Sequence, residues 1–283
     1  MGGGPTRPVA YAGEPGAFAE DAVLAAFGDV ERLAVGSFRD VFDAVAAERA
    51  DAGVLPIENL LNGTVRETYD LLLEHDLAVV GEVVVPVRLC LAALPGQTLD
   101  EIRRVYSHIQ ALGQAEAFLR TRPWTTLTTY NTAGAGRLIH ASGERGAAAV
   151  LSPRAAGLFD LEILADDIQG AADNRTRFLV AAPPGAAPEV IADPGAPHRT
   201  TLVFAVRNEP GTLLRALRAF ADRGVNLSAL ESRPSRTAAW EYVFWADLDA
   251  AASDSNCAAA LDDLRAATTM VRVLGSYRQA PGA

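Results

Sequence analysis

From Pro8 to about Val180, short apolar runs alternate with segments of helical period, the pattern that βαβ units and a largely parallel sheet produce. Residues 9–12 read as a strand and 17–27 as a helix; 33–35 and 52–56 repeat the strand pattern. Between those two strands Phe38, Val41, Phe42 and Val45 recur at helical spacing, a stripe that faces a core. After a helix carrying Tyr69, Leu71, Leu72 and Leu73, residues 78–94 are almost continuously apolar, too long for one ordinary buried strand, and predict a crossing between two lobes. Further strand-helix pairs are predicted at 104–106 with about 109–120, 125–130 with 133–139, and 147–151 with 153–158. The strand-like segment 176–182 closes the region. If it rejoins the first sheet, the chain crosses twice and forms a hinged cleft, a favoured place for small ligands.

The segment 183–198 carries Pro183, Pro184, Pro188, Pro194 and Pro197 among Ala and Gly and reads as a linker. Beyond it the predicted order becomes β-α-β-β-α-β, over 200–207, 211–222, 226–232, 240–248, 256–267 and 270–276. Leu213, Leu214, Leu217 and Phe220 form one helix face, and Ala260, Leu261 and Leu264 another. The expected fold class is therefore α/β for a two-lobed region, with one lobe from 8–86 and 165–182 and the other from 87–164, followed by a compact α+β domain over 199–277.

Composition narrows the function. At 283 residues the chain exceeds one typical domain, and 49% hydrophobic with 21% charged residues is ordinary for a globular protein. A formal charge of -10 argues against a general nucleic-acid or anionic-membrane binder, and an anionic substrate would need local positive potential against that field. Cys90 and Cys257 stand far apart without metal-ligand spacing, so no disulfide framework and no metal site are expected, and a reducing cytoplasm fits. The N-terminal residues lack an apolar signal core; Gly2 with Thr6 formally fits a myristoylation pattern, but Pro5 and the glycine run read as a frayed tail.

Several polar clusters follow predicted strands. Pro56-Ile57-Glu58-Asn59 with Gly63-Thr64-Val65 reads as a substrate loop or as a turn and helix N-cap. Ser107-His108-Ile109-Gln110 with Gln114 reads as a helix start whose N–H groups hold a carboxylate, with Ser107 as cap, or simply as a capped helix with exposed glutamines. Thr132-Ala133-Gly134-Ala135-Gly136 lacks the third glycine of a dinucleotide fingerprint. Asn174-Arg175-Thr176-Arg177-Phe178 offers a hydroxyl and two guanidiniums at a cleft edge, or a strand start with solvated arginines.

Taken in order, these clusters resemble the prephenate dehydratase family, together with residues 11–18, Tyr69-Asp-Leu-Leu72, Gly81-Glu82 and Gly157-Leu158. The match covers roughly residues 8–182. Residues 199–277 resemble that family's ACT domain, Gly211-Thr212-Leu213 and Glu231-Ser232-Arg233-Pro234 matching its phenylalanine-site motifs. The resemblance implies a periplasmic-binding-protein-like catalytic region, a ferredoxin-like regulatory domain, a homo-oligomer (dimer or tetramer), no cofactor, and conversion of prephenate to phenylpyruvate under L-phenylalanine control. It implies Thr176 as the group assisting departure of the ring hydroxyl, and Asn59, Ser107, Gln114 and Arg177 as substrate contacts. Glu58, His108, Thr132, Asn174 and Phe178 are implied as further contacts or loop supports.

The sequence also departs from the family pattern. Leu60 stands where Ser or Thr is usual, Ala17 and Ala19 replace frequent hydroxyl residues, Leu89 replaces a frequent His, and Gly170 an acidic residue. Residues 12–17 and 132–135 also resemble plant arogenate dehydratases, whose substrate bears an amine where prephenate has a ketone. Prephenate dehydration is the leading expectation, an arogenate dehydratase or a related prephenate-using decarboxylase the alternative, and a non-catalytic binding or regulatory paralogue a further reading.

Overall fold

The computed structural model describes residues 5–171, 173–234 and 242–282; Gly2, and Trp240 at the start of an expected strand, lie outside them. The chain runs β1 (Val9–Ala12), α1 (Phe18–Phe27), β2 (Arg32–Val35), α2 (Phe38–Ala46), β3 (Ala52–Asn59), β4 (Gly63–Thr64), α3 (Arg66–Glu74) and β5 (Ala78–Pro86) through the first lobe. The second lobe holds β6 (Cys90–Ala93), β7 (Arg104–Ser107), α4 (Ile109–Gln114), α5 (Glu116–Leu119), β8 (Thr125–Thr128), α6 (Thr132–Ser142), β9 (Ala147–Leu151), α7 (Pro153–Leu158) and β10 (Glu162–Ala165). The chain then returns to the first lobe as β11 (Arg175–Ala182). The C-terminal domain follows as β12 (His198–Val206), α8 (Thr212–Ala221), β13 (Leu227–Pro234), β14 (Tyr242–Leu248), α9 (Ser255–Ala267) and β15 (Met270–Arg278).

The two α/β sheets are mixed rather than largely parallel. In the first, ordered β2-β1-β3-β11-β5 with β4 beside β3, β1 runs parallel to β2 and β3, while β11 inserts antiparallel between β3 and β5. A strand arriving from the other lobe needs no helical crossover, so it is free to take the opposite direction. In the second, ordered β10-β6-β9-β7-β8, β7 is parallel to its neighbours, whereas β6 is antiparallel to β9 and β10. The expected helix over 109–120 is broken at Ala115, because the Gln114 carbonyl accepts from the Gly170 N–H at 2.8 Å instead of continuing the helical ladder. The linker is strapped down: Ile191 N–H donates to the Ala26 carbonyl at 2.7 Å, and Val190 lies against Gly81 and the core beneath α1.

The C-terminal sheet, ordered β13-β14-β12-β15, is antiparallel throughout. One face, with Leu202, Phe204, Phe244 and Ala246, packs on α8 and α9. The other face joins Val203, Val243, Trp245, Leu274 and Tyr277 to Ile57, Tyr69, Leu71, Leu72 and Leu179 of the first lobe in one continuous core. Both faces being buried explains why β12 is buried at nearly every position and continuously apolar from Leu202 to Val206 rather than alternating. Tyr69 meets Trp245 edge to face at 4.8 Å between ring centroids. Arg272 donates to the carbonyls of His75 and Leu77, where a cation complements the C-terminal end of α3.

An ion cluster is buried inside this seam. The Glu82 carboxylate, fully enclosed, accepts from Arg199 at 2.8 Å, from Arg177 at 3.2 Å and from Ala280 N–H at 3.0 Å. Arg177 also reaches Asp247 at 2.7 Å, and Asp247 accepts from the Thr201 hydroxyl at 2.7 Å. Beside it β5 and β15 come so close that a Cβ on Gly275 would lie 1.8 Å from the Val79 carbonyl oxygen. Gly275→Ala must therefore push the two strands apart. We expect it to lower unfolding stability by about 1–3 kcal/mol or more, read as a lower denaturant midpoint.

Candidate active site

A cleft of about 630 Å³ opens between the first two sheets, within the range of roughly 300–1,000 Å³ usual for small-molecule sites. Its floor is the register pair Asn59 and Thr176 on adjacent strands β3 and β11. The sequence pattern placed Asn59 in a loop after a strand, but β3 continues through the whole Pro56–Asn59 motif and Gly63–Thr64 folds back on it as β4. Gly63 makes that reversal at φ 73°, a left-handed conformation that favours glycine.

The Asn59 side chain has a fixed orientation. Its Oδ1 accepts from the N–H groups of Leu61 at 3.1 Å and Asn62 at 3.0 Å, so an inverted amide would set donors against donors. Its Nδ2 therefore faces Thr176 Oγ1 at 3.0 Å, Arg175 O at 3.0 Å and Asn174 Oδ1 at 2.9 Å. Because the Thr176 oxygen receives this hydrogen bond, the hydroxyl's own proton is directed away from Asn59. Thr176 thus offers the cleft a donor.

Among the described residues, five helices begin at the cleft wall. Ala17 and Phe18 at α1, Ser37 and Phe38 at α2, Val65 at α3, His108 at α4, and Asn131 and Thr132 at α6 all line it. Each helix start carries N–H groups without intrahelical partners and the positive end of the helix dipole. Among the described lining residues none is Lys or Arg, and Glu67 is the one carboxylate. Positive potential for an anion thus comes from backbone amides and neutral donors such as Gln110 and Gln114. Apolar side chains of Phe18, Phe38, Val65, Val87, Leu89 and Phe178 supply another part of the wall.

His108 caps α4, its Nδ1 accepting from Gln110 N–H at 3.4 Å, which leaves the proton of the neutral ring on Nε2. Burial holds its pKa below the ordinary imidazole value of 6.5. Neither cysteine offers a nucleophile: burial pushes Cys90 up to about 12 and raises Cys257 as well.

Of the residues implied by the resemblance, Thr176, Asn59, Gln114, His108, Thr132 and Phe178 line the cleft. Arg177 does not. Successive strand residues face opposite sides, so with Thr176 and Phe178 at the cleft Arg177 points into the interdomain seam, where Asp247 and Glu82 hold it. Ser107 is fully buried and donates to the Val150 carbonyl at 2.6 Å, tying β7 to β9 instead of capping α4. Glu58 lies on the seam side within 3.7 Å of Arg177, and Asn174 stands behind Asn59. Of the departures, Ala17, Ala19 and Leu89 line the cleft, whereas Leu60 and Gly170 do not. Ser37 and Asn131 were not singled out in the sequence, although Ser and Asn immediately before helical stripes are N-cap signals; Phe38, read there as part of a core stripe, packs on that core and also lines the cleft. In the C-terminal domain, Gly211 and Thr212 start α8, with Leu213 in its first turn, while Glu231, Ser232, Arg233 and Pro234 lie on edge strand β13. Arg233 is tied to Asp70 of α3 at 2.7 Å.

The family model for prephenate dehydratase matches residues 9–185. The chain belongs to the prephenate dehydratase family. An ACT domain matches residues 200–266. Arogenate dehydratase 5, chloroplastic, of Arabidopsis thaliana is 40% identical over 97% of this chain and 68% of its own length. Two solved structures share the whole architecture. A prephenate dehydratase from Arthrobacter aurescens in complex with L-Phe is 32% identical with a TM-score of 0.85, covering 96% of this chain and 90% of its own. GqqA, described as a novel type of quorum quenching acylase, is 33% identical with a TM-score of 0.88, covering 97% and 99%.

The lowered His108 pKa has a sign. With the folded value below the unfolded one, the unfolded chain takes up a proton first as pH falls through 6.5, so this group's contribution to stability is lost below that pH. NMR of labelled histidine, with His108→Gln assigning the resonance, should find His108 titrating below 6.5. A midpoint at or above that value would refute its burial as the neutral ring.

Proposed function

We propose that the chain catalyses the decarboxylating dehydration of prephenate to phenylpyruvate, with L-phenylalanine as an allosteric effector of the ACT domain. Support comes above all from the Thr176 hydroxyl, which accepts from Asn59 and is left to donate into a cleft walled by helix N-termini and aromatic rings. Prephenate loses its ring carboxylate as carbon dioxide; the electron pair moves through the diene and expels the C4 hydroxyl, which leaves as water after taking one proton. Thr176 donates that proton in a concerted step or relay, because a free alkoxide is too costly at neutral pH. The helix N-termini hold the side-chain carboxylate, and the apolar wall withholds stabilisation from the carboxylate that must depart. Aromatisation supplies the driving force, so orientation is the main demand on the protein.

Arogenate is the second substrate reading, favoured by the 40% identity to an arogenate dehydratase. The same floor and walls serve it, since it differs from prephenate only in bearing an amine for the ketone. In this proposal the enzyme works in the cytoplasm as a homo-oligomer.

Incubation with prephenate and arogenate separately, followed by mass spectrometry, should yield phenylpyruvate preferentially from prephenate. Phenylalanine formed preferentially from arogenate would reverse the assignment. Thr176→Val should fold normally and lower kcat by roughly 10²–10⁴-fold; unchanged turnover would remove the hydroxyl from the chemistry. L-Phenylalanine at 100 times its Kd should stabilise the protein by about 2.7 kcal/mol, seen as a raised Tm. No change in Tm or activity would dismiss the effector.

A further inference from the structure

We infer that Asn174 is a positioning residue for the reaction, acting through Asn59 to aim the Thr176 proton into the cleft. Asn174 is 2% exposed and does not line the cleft, so its part is indirect. Its Oδ1 accepts from Asn59 Nδ2 at 2.9 Å, and a flipped amide would bring two donors face to face. The Asn59 amide is thereby gripped from both ends, with Leu61 and Asn62 N–H groups on its oxygen and Asn174 on its nitrogen. That grip makes Asn59 the donor and Thr176 the acceptor in their 3.0 Å hydrogen bond.

Two further observations set Asn174 apart from an ordinary buried amide. Its Nδ2 is buried and finds no acceptor among the described residues, a desolvation cost that an apolar residue would avoid. Its backbone carbonyl accepts from Val87 N–H at 2.8 Å, which joins the two segments where the chain passes between lobes. Val87 itself lines the cleft. Asn174 therefore stands at the hinge, and the direction of the Thr176 proton is referred to the point about which the lobes meet.

This inference rests on the proposed dehydration, and its test is a double-mutant cycle in the full-length protein. Turnover of prephenate, or of arogenate if that is the substrate used, is measured for wild type, Asn174→Ala, Thr176→Val and the double variant, with Tm followed for each. Asn174→Ala should lower kcat at least tenfold with KM changed less than threefold, and should cost nothing further in the Thr176→Val background. Asn174→Asp, which keeps the Oδ1 acceptor, should recover part of the lost kcat, and it provides the comparison should Asn174→Ala fail to fold. Equal losses in both backgrounds, or no advantage of Asp over Ala, would overturn the inference while leaving the proposed function standing. Absence of turnover by the wild type with either substrate would overturn both.

Discussion

The insertion of β11 between β3 and β5 completes the first sheet with chain that has just returned from the second lobe. The hydrogen bonds of both ladders thus fix the cleft floor and the crossover together. Side chains alternate along β11, so Thr176 and Phe178 belong to the cleft while Arg177 belongs to the seam with the C-terminal domain. Two neighbouring residues consequently answer to different parts of the molecule. Arg177, Glu82, Arg199 and Asp247 give that seam directionality that the apolar core alone would lack, since buried charges tolerate little misalignment. Arg233 and Arg272 extend the grip to α3, whose opposite end starts at the cleft.

In the proposed reaction the cleft handles anionic chemistry in an acidic protein without a guanidinium or ammonium in its described wall. Dipoles fixed in the backbone suit such chemistry, because they attract a carboxylate but do not form a salt bridge that a departing carboxylate would have to break. They are also rigid, since moving one means moving a helix. In the same proposed reaction the aromatic and aliphatic wall complements them by presenting surface to a ring that changes from diene to arene.

Much of this was legible in the sequence. The long apolar run over 78–94 announced the crossing, and it divides into β5 and β6 in separate sheets. The change to a β-α-β-β-α-β rhythm after the proline-rich segment marked the ACT domain, and most of the cleft residues lay in recognisable motifs. The residues that lie off the cleft do so for a shared physical reason. Arg177 and Ser107 sit beside cleft residues in sequence, but strand alternation and a long-range hydrogen bond to Val150 send their side chains elsewhere. The direction of β11 and the break at Ala115 depend on partners more than fifty residues away, which local periodicity does not encode.

The threading of β11 also orders the protein's birth on the ribosome. The second lobe occupies one unbroken stretch, from β6 to β10, and can close its sheet as soon as that stretch emerges. The first lobe, although synthesised earlier, lacks its inner strand until residue 182 has emerged. Its outward face around Tyr69 and Leu179 waits longer still, until Trp245 and then Leu274 are available to cover it. The lobe that is made first is therefore finished last, and during that interval it exposes unpaired strand edges and apolar surface of the kind that chaperones recognise.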